Sequence, residues 1–199
     1  MISLFLDTHN KNIIEVLYKD GKLLDKNIRL SERNHSDYTI PMLDELLKKN
    51  KLSVHDINEI LVCNGPGSFT GVRIGVTIAK TLAYTLNIPI KTITSLDCLA
   101  ASSKQGKKRA AIIRDIKGVF GCLFDENDKL VEGPFYKENA EFAEYIKEKE
   151  LSESEIIEES EYDFENIYLK FKNINETRAH EVKPLYIKVI EALKDDKNS

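Results

Sequence analysis

Several features that mark common protein classes are scarce or missing in these 199 residues. Only three cysteines occur (Cys63, Cys98 and Cys122) and no two form a CxxC pair, which predicts reduced thiols in a cytoplasmic protein. No apolar run approaches about 18 residues, so we expect no membrane span. The chain begins without a basic region and reaches Asp7 early, so we also expect no signal peptide.

The chain also lacks an excess of positive charge. The chain has 29 Lys and Arg against 33 Asp and Glu, which gives a net charge of −4. A protein that binds nucleic acid on its own usually carries a basic footprint. Any contact with nucleic acid is therefore expected to be indirect, with most of the neutralising charge on another subunit.

The most informative feature that is present is the run GPGSFTGVRIG at residues 65–75. It follows an apolar strand pattern and opens an apolar-periodic stretch that continues to Leu86, with Ser68 or Thr70 placed to cap a helix. A glycine-rich turn before a helix resembles a phosphate loop. A Walker loop, however, needs a lysine that is missing between Lys51 and Lys80, and neither GxGxxG nor GxSxG spacing is present. The run therefore matches no general catalytic motif.

The hydrophobic pattern divides the chain into two similarly built halves. Each half is predicted to begin with three strands followed by a helix, and Asp115 lies 108 residues after Asp7, at the same point of the pattern. The domains are predicted at 1–103 and 110–199, with a polar hinge at 104–109. The basic residues of the hinge are interpreted as a solvated linker, with RNA contact as the alternative. The predicted strands are 2–6, 12–19, 22–29, 60–63, 89–93, 110–115, 119–124, 130–136 and 167–171, and the predicted helices are 37–49, 70–86 and 140–149.

Three further features lead to predictions of their own. Pro41 must lie in the first turn of its helix or kink it. Residues 150–165 contain eight acids and no base, which favours a solvated helix or loop over an acidic docking surface. The tail at 195–199 is expected to fray.

Four stretches resemble the bacterial TsaB (YeaZ) family. The strongest is GPGSFTGVRIGVTIAKTLA, beginning at Gly65. The other three are the opening strand that ends Asp7-Thr8, the Arg33-Asn34-His35-Ser36 segment with its downstream proline, and Pro184-Leu185-Tyr186-Ile187-Lys188, where lysine replaces the family's arginine. The resemblance is strong to about residue 100 and faint over 137–183.

The resemblance implies a fold and a function. The fold is the α/β actin-like ATPase and sugar-kinase (ASKHA) fold, built from tandem ribonuclease-H-like halves with mixed sheets flanked by helices, here with a reduced second half. The function is that of a non-catalytic subunit for threonylcarbamoylation of the adenosine beside the anticodon of tRNA. The resemblance also implies that the chain binds and activates TsaD, with TsaE in a ternary complex. Alone, the chain is expected to form a homodimer, and its contact with tRNA is expected to be only indirect.

The residues argue against catalysis by this chain. ATPases of this fold wrap phosphates with glycine-bearing hairpins, but the first hairpin here has no glycine and no glycine follows Gly133. Asp7 and Asp115 are interpreted as turn-capping remnants of the fold, with a hydrated magnesium ion as the alternative. The histidines form no HxxxH pair, and Ser68 has no identifiable base. We therefore predict that the chain has no catalytic, cofactor-binding or metal-binding residues of its own. The one alternative for a cofactor is a nucleotide bound at a joint interface with TsaD. The alternative is a stand-alone ATP-dependent enzyme or a glycoprotease-like protein.

The loop and helix that follow Gly65 are instead predicted to bind the partner. Small residues recur at four-residue spacing along the helix, which permits close helix approach. The alternative is that the helix is simply central to its own core. The predicted interface residues are Gly65, Pro66, Gly67, Ser68, Phe69, Thr70, Gly71, Arg73, Gly75, Ala79 and His35.

Overall fold

The computed structural model describes residues 1–31, 34–103, 106–158, 161–172 and 174–187. Its strands are β1 Ile2–Asp7, β2 Asn12–Lys19, β3 Lys22–Leu30, β4 Ile57–Cys63, β5 Ile90–Ile93, β6 Arg109–Arg114, β7 Gly118–Phe124, β8 Leu130–Glu138 and β9 Ile156–Ile157. Its helices are α1 His35–Lys49, α2 Phe69–Leu86, α3 Ser95–Ser102, α4 Asn139–Glu148 and α5 Phe164–Phe171. Among the residues described, no helix is both long enough and apolar enough to cross a bilayer.

The first sheet has the order β3-β2-β1-β4-β5. β1, β2 and β3 form an antiparallel meander, whose tight turn at Asp20-Gly21 places both residues at positive φ. β4 then runs parallel to β1, and β5 runs parallel to β4. Because β1 and β4 are parallel neighbours, their carboxyl ends, Asp7 and Cys63, meet at the same edge of the sheet.

Helices cover both faces of this sheet. On one face Leu4 and Leu6 pack with apolar residues of α1 and α2, including Val76 and Ala79. On the other face Phe5 packs with α3 and α5. Since alternate residues of β1 enter different cores, the strand is buried along its whole length.

The second sheet repeats the start of the first. Its order is β8-β7-β6-β9, with β6 antiparallel to β7 and parallel to β9, as β1 is to β2 and β4. α4 packs on one face, and α3 lies on the other, where it also contacts the first sheet. This repeated order confirms the predicted tandem architecture with a reduced second half. The domain limits themselves stay a prediction, and Lys104 and Gln105 of the hinge lie outside the described residues.

The predicted strand at 167–171 is wrong, because these residues end α5. Phe164, Ile167, Tyr168 and Phe171 recur at helical spacing and are buried against the first sheet. The Asp163 side chain caps the helix by accepting a hydrogen bond from the Asn166 N–H. This helix belongs to the chain's second half but packs against the first sheet.

The structure differs from the predictions in four smaller respects, which concern α1, α3, the acidic segment and the hinge. α1 begins two residues earlier than predicted, and Pro41 is its seventh residue rather than part of its first turn. α3 was not predicted. The acidic segment is not wholly solvated loop, since it contains β9, which pairs with β6. Arg109, assigned to the solvated hinge, is only 4% exposed and pairs with Asp128 at 2.6 Å.

Candidate functional site

The loop between β4 and α2 is held by hydrogen bonds from its own residues and from distant segments. Gly65 has φ of 95°, a conformation that L side chains rarely adopt, and it joins Pro66 through a cis peptide bond. The Ser68 side chain accepts a hydrogen bond from the Gly71 N–H at 3.3 Å, so Ser68, and not Thr70, caps α2. Leu185 N–H donates to the Asn64 carbonyl at 2.8 Å, which ties the C-terminal segment 184–187 to the start of the loop.

Three glycines at four-residue spacing press against the turn between β1 and β2. A Cβ atom at Gly67 or Gly71 would overlap the carbonyl oxygen of His9 or Thr8, and one at Gly75 would overlap the Thr8 hydroxyl. The same contact carries two hydrogen bonds: Ser68 N–H donates to the His9 carbonyl at 2.7 Å, and Thr8 Oγ1 donates to the Gly71 carbonyl at 2.7 Å. The glycine spacing is therefore explained by close approach within the chain.

This contact shows which of the predicted interface residues the chain itself buries, while the interface as a whole stays a prediction. Five of the predicted interface residues are buried inside the chain, so their side chains present little surface to a partner. His35 is also buried; its Nε2 lies 2.9 Å from the Asn10 carbonyl and joins α1 to the β1–β2 turn. Gly67 is half-buried. The residues left exposed are Ser68, Phe69, Thr70 and Arg73, and the five buried ones are Gly65, Pro66, Gly71, Gly75 and Ala79.

Exposed aromatic and basic side chains gather at the start of α2. The Arg73 guanidinium lies over the Phe69 ring at 3.7 Å, and Arg73 Nε donates to Tyr186 Oη at 2.9 Å. Phe69 and Tyr186 are 51% and 52% exposed, and their ring centroids are 6.0 Å apart. We call Phe69, Arg73 and Tyr186 the aromatic–arginine patch. In the sequence Tyr186 stands out only as part of a C-terminal motif. Its contact with Arg73 is a tertiary one that the motif does not indicate.

The patch borders a cleft of about 740 Å³ between the two halves. The β1–β2 turn and the glycine loop form one wall, and residues 113–116 with Phe120 form the other. Asp115 lies on the second wall, where its carboxylate accepts a hydrogen bond from the Tyr136 hydroxyl at 3.2 Å. Its predicted equivalent, Asp7, instead accepts a hydrogen bond from the His9 N–H at 2.9 Å and caps the turn, as predicted.

A buried polar cluster lies behind the first wall. His9 Nδ1 is 2.8 and 2.9 Å from the two Asp7 carboxylate oxygens, and ligand atoms of Asp7, His9 and Cys63 all lie within 4.8 Å of one another. Burial alone would lower the pKa of His9, but the Asp7 carboxylate raises that pKa to about 10. Burial opposes ionisation of Asp7 as well, yet the His9 imidazolium holds the Asp7 pKa below its usual value.

This cluster has the residue types of a Cys–His–Asp catalytic triad, but its thiol lacks the exposure and the low pKa of a nucleophile. Cys63 is fully buried, and burial raises the pKa of its thiol well above the usual range. An attacking cysteine needs an accessible thiolate. We therefore assign Cys63 no nucleophilic role. The sequence places Asp7 and Cys63 at or beside the ends of two predicted strands, but nothing in it marks those strands as parallel neighbours, so the cluster was not predicted.

Comparison with known proteins identifies the family. A TsaB protein of Bacillus subtilis, described as a tRNA threonylcarbamoyladenosine biosynthesis protein, is 35% identical over 155 residues, which is 75% of this chain and 68% of that protein. The chain belongs to the TsaB family. The Escherichia coli TsaB is 33% identical over 116 residues, 57% of this chain and half of that protein.

Two further comparisons concern the fold and the first half. The crystal structure of a Pseudomonas aeruginosa protein similar to YEAZ has a TM-score of 0.77 at 19% identity and covers 94% of this chain and 99% of that one, which shows a shared fold. Residues 29–114 match the family model described as TsaD, tRNA N6-adenosine threonylcarbamoyltransferase. The first half of this TsaB-family chain is thus similar to an enzyme family.

Proposed function

We propose that this chain is a non-catalytic subunit of the assembly that makes threonylcarbamoyladenosine on tRNA, and that it acts by binding and activating TsaD. The observation that carries the proposal is its membership of the TsaB family, together with the match of residues 29–114 to the TsaD family model. Two chains with similar first halves can pair through equivalent surfaces, as the two copies of a symmetric dimer do. The same surface then serves a homodimer when TsaD is absent.

The aromatic–arginine patch is the proposed centre of the TsaD contact. Tyr and Arg are enriched among residues that dominate binding energy, and aromatic residues are enriched at interfaces in general. The patch is exposed at the start of α2, while the Arg73–Tyr186 hydrogen bond and the Arg73–Phe69 stacking hold it in one arrangement. Pre-ordered side chains lose little entropy on binding, which favours affinity.

The remaining parts of the proposal rest on charge and on the family resemblance. The chain's charge of −4 disfavours direct binding of tRNA phosphates, so we place the tRNA contact on other subunits. TsaE joins as a third component. No catalytic step is assigned to this chain, because its buried acid, imidazole and thiol are inaccessible to a substrate the size of tRNA.

The test combines variants of the patch with TsaD from the same source. Phe69→Ala and Arg73→Glu are expected to weaken TsaD binding by 2–4 kcal/mol each, about thirty-fold to nearly a thousandfold, measured by calorimetry. Tyr84→Ala is the matched control, because Tyr84 is 80% exposed near the other end of α2. Circular dichroism checks that each variant is folded.

Two outcomes would contradict different parts of the proposal. If folded Phe69→Ala and Arg73→Glu variants bind TsaD like the control, the patch is not the contact. If the wild-type chain leaves tRNA modification by TsaD and its partners unchanged when it is added or omitted, the proposed function itself is wrong.

A further inference from the structure

The buried polar cluster brings together three kinds of metal ligand from two neighbouring strands. Asp7 ends β1, His9 follows in the turn, and Cys63 ends β4. These residues are 1%, 4% and 0% exposed, and their ligand atoms lie within 4.8 Å of one another. We propose that Asp7, His9 and Cys63 form a zinc-binding site.

The donor set favours zinc over the other common ions. Mg²⁺ and Ca²⁺ prefer oxygen ligands, and only one of the three residues offers a carboxylate. A thiolate and an imidazole beside one carboxylate suit Zn²⁺, which takes sulfur, nitrogen and oxygen in a tetrahedral arrangement. Bonds of about 2.0–2.3 Å separate the ligand atoms of such a site by roughly 3.3–3.6 Å. The Asp7–His9 contact of 2.8 Å therefore has to widen by about half an ångström, and any separation at the 4.8 Å limit has to shorten by about 1.3 Å.

The surroundings supply the other parts of a metal site. The Tyr162 hydroxyl donates to Asp7 Oδ2 at 3.2 Å, which is the kind of outer-shell hydrogen bond that orients a ligating carboxylate. The Cys98 thiol, also fully buried, neighbours Cys63 and offers a further donor for the fourth position. His9 also lines the cleft between the halves, which gives an ion a route to the site.

The proposed site is structural rather than catalytic. It lies directly behind the turn that carries the Gly67, Gly71 and Gly75 contacts, so zinc would fix the position of that turn against α2. Zinc replaces the proton shared by His9 and Asp7 and the proton of the Cys63 thiol, because metal ligands must be deprotonated. The site does not depend on the proposed role with TsaD.

The experiment uses the full chain, stripped with a chelator, exposed to zinc and desalted. Wild type and Cys122→Ala are expected to retain about one zinc per chain, and Cys63→Ala less than about a tenth. Cys122 is the matched control because it is likewise a buried thiol but lies in β7 of the second half. Cobalt substitution gives a second readout that needs no variant at the site, since ligation by Cys63 produces a thiolate-to-cobalt charge-transfer band in the wild type.

Three results would overturn the site. One is a wild-type chain that retains less than about a tenth of an equivalent of zinc under these conditions. Another is a Cys63→Ala variant that holds as much zinc as wild type. The third is a cobalt-loaded wild type without a thiolate band, which counts against the site even if the Cys63 variant fails to fold.

Discussion

The contact between Gly75 and Thr8 supports a sharp test of how the glycine loop is positioned. A Cβ atom at Gly75 would overlap Thr8 Oγ1 but would lie 3.5 Å from Thr8 Cβ, an ordinary separation. Gly75→Ala is therefore expected to cost about 1–3 kcal/mol by overpacking, offset by about 1 kcal/mol of helix propensity. Thr8→Ala removes the obstructing hydroxyl and its hydrogen bond to Gly71, at about 1 kcal/mol. In the double variant the overlap is gone, so the stability losses of the two single substitutions should not add.

Urea denaturation of the wild type, the two single variants and the double variant gives the coupling energy between the two substitutions. We expect it to be about 1–3 kcal/mol in favour of the double variant. Gly71→Ala is the matched contrast. Its Cβ would overlap the backbone carbonyl of Thr8, which a side-chain truncation cannot move. Thr8→Ala should therefore rescue Gly75→Ala but not Gly71→Ala. Additivity within about 0.5 kcal/mol for the Gly75 pair would refute this account of the loop.

Three other substitutions test the buried polar groups. Asp7→Asn should lower the free energy of unfolding of the chelator-treated protein by about 3 kcal/mol, because it removes the carboxylate charge that pairs with the buried His9 imidazolium; thermal denaturation measures this. Burial raises the pKa of Glu15 from 4.5 to about 9, so the folded state keeps a proton that the unfolded state loses and wild-type stability falls as pH rises from 4.5 to 9. Glu15→Gln should remove the decline between pH 4.5 and 6.5 in urea titrations, below the range in which the raised pKa of His9 adds to it, and an unchanged slope there would contradict this. Tyr18→Phe should cost about 1–3 kcal/mol by chemical denaturation, since it leaves the buried Phe164 carbonyl without the hydroxyl that donates to it at 2.9 Å.

The sequence predicted the fold best where the pattern was long or the turn chemistry was specific. The turn at Asp20-Gly21 and the 18-residue helix α2 are both present within one residue of their predicted limits. α5 was mistaken for a strand because the window began at Ile167. Within that window the alternation of Ile167, Leu169 and Phe171 fits a strand, whereas Phe164, Ile167, Tyr168 and Phe171 together show helical spacing. α3 was missed although Thr94, which accepts a hydrogen bond from the Asp97 N–H, marks its start.

The site was less predictable, because its residues meet only in the folded chain. Sequence spacing identified the small residues of α2 but not what they contact. Gly75 lies against Thr8, which is 67 positions away along the chain. A small residue at a helix surface is equally suited to a partner helix and to a turn of the same chain. Burial, not spacing, separates these two possibilities.

That distinction decides which substitutions are informative about partner binding. A glutamate at Gly75 or Ala79 looks like a direct test of docking from the sequence, but Ala79 is 0% exposed and Gly75 has no room for a side chain. An unpaired carboxylate at either position is buried in the monomer, at a cost of several kcal/mol that the fold itself must bear. Loss of TsaD binding by such a variant would follow from unfolding and would say nothing about the interface. Phe69 and Arg73 lie one turn or less from Gly71 but face solvent, so their substitution separates binding from folding.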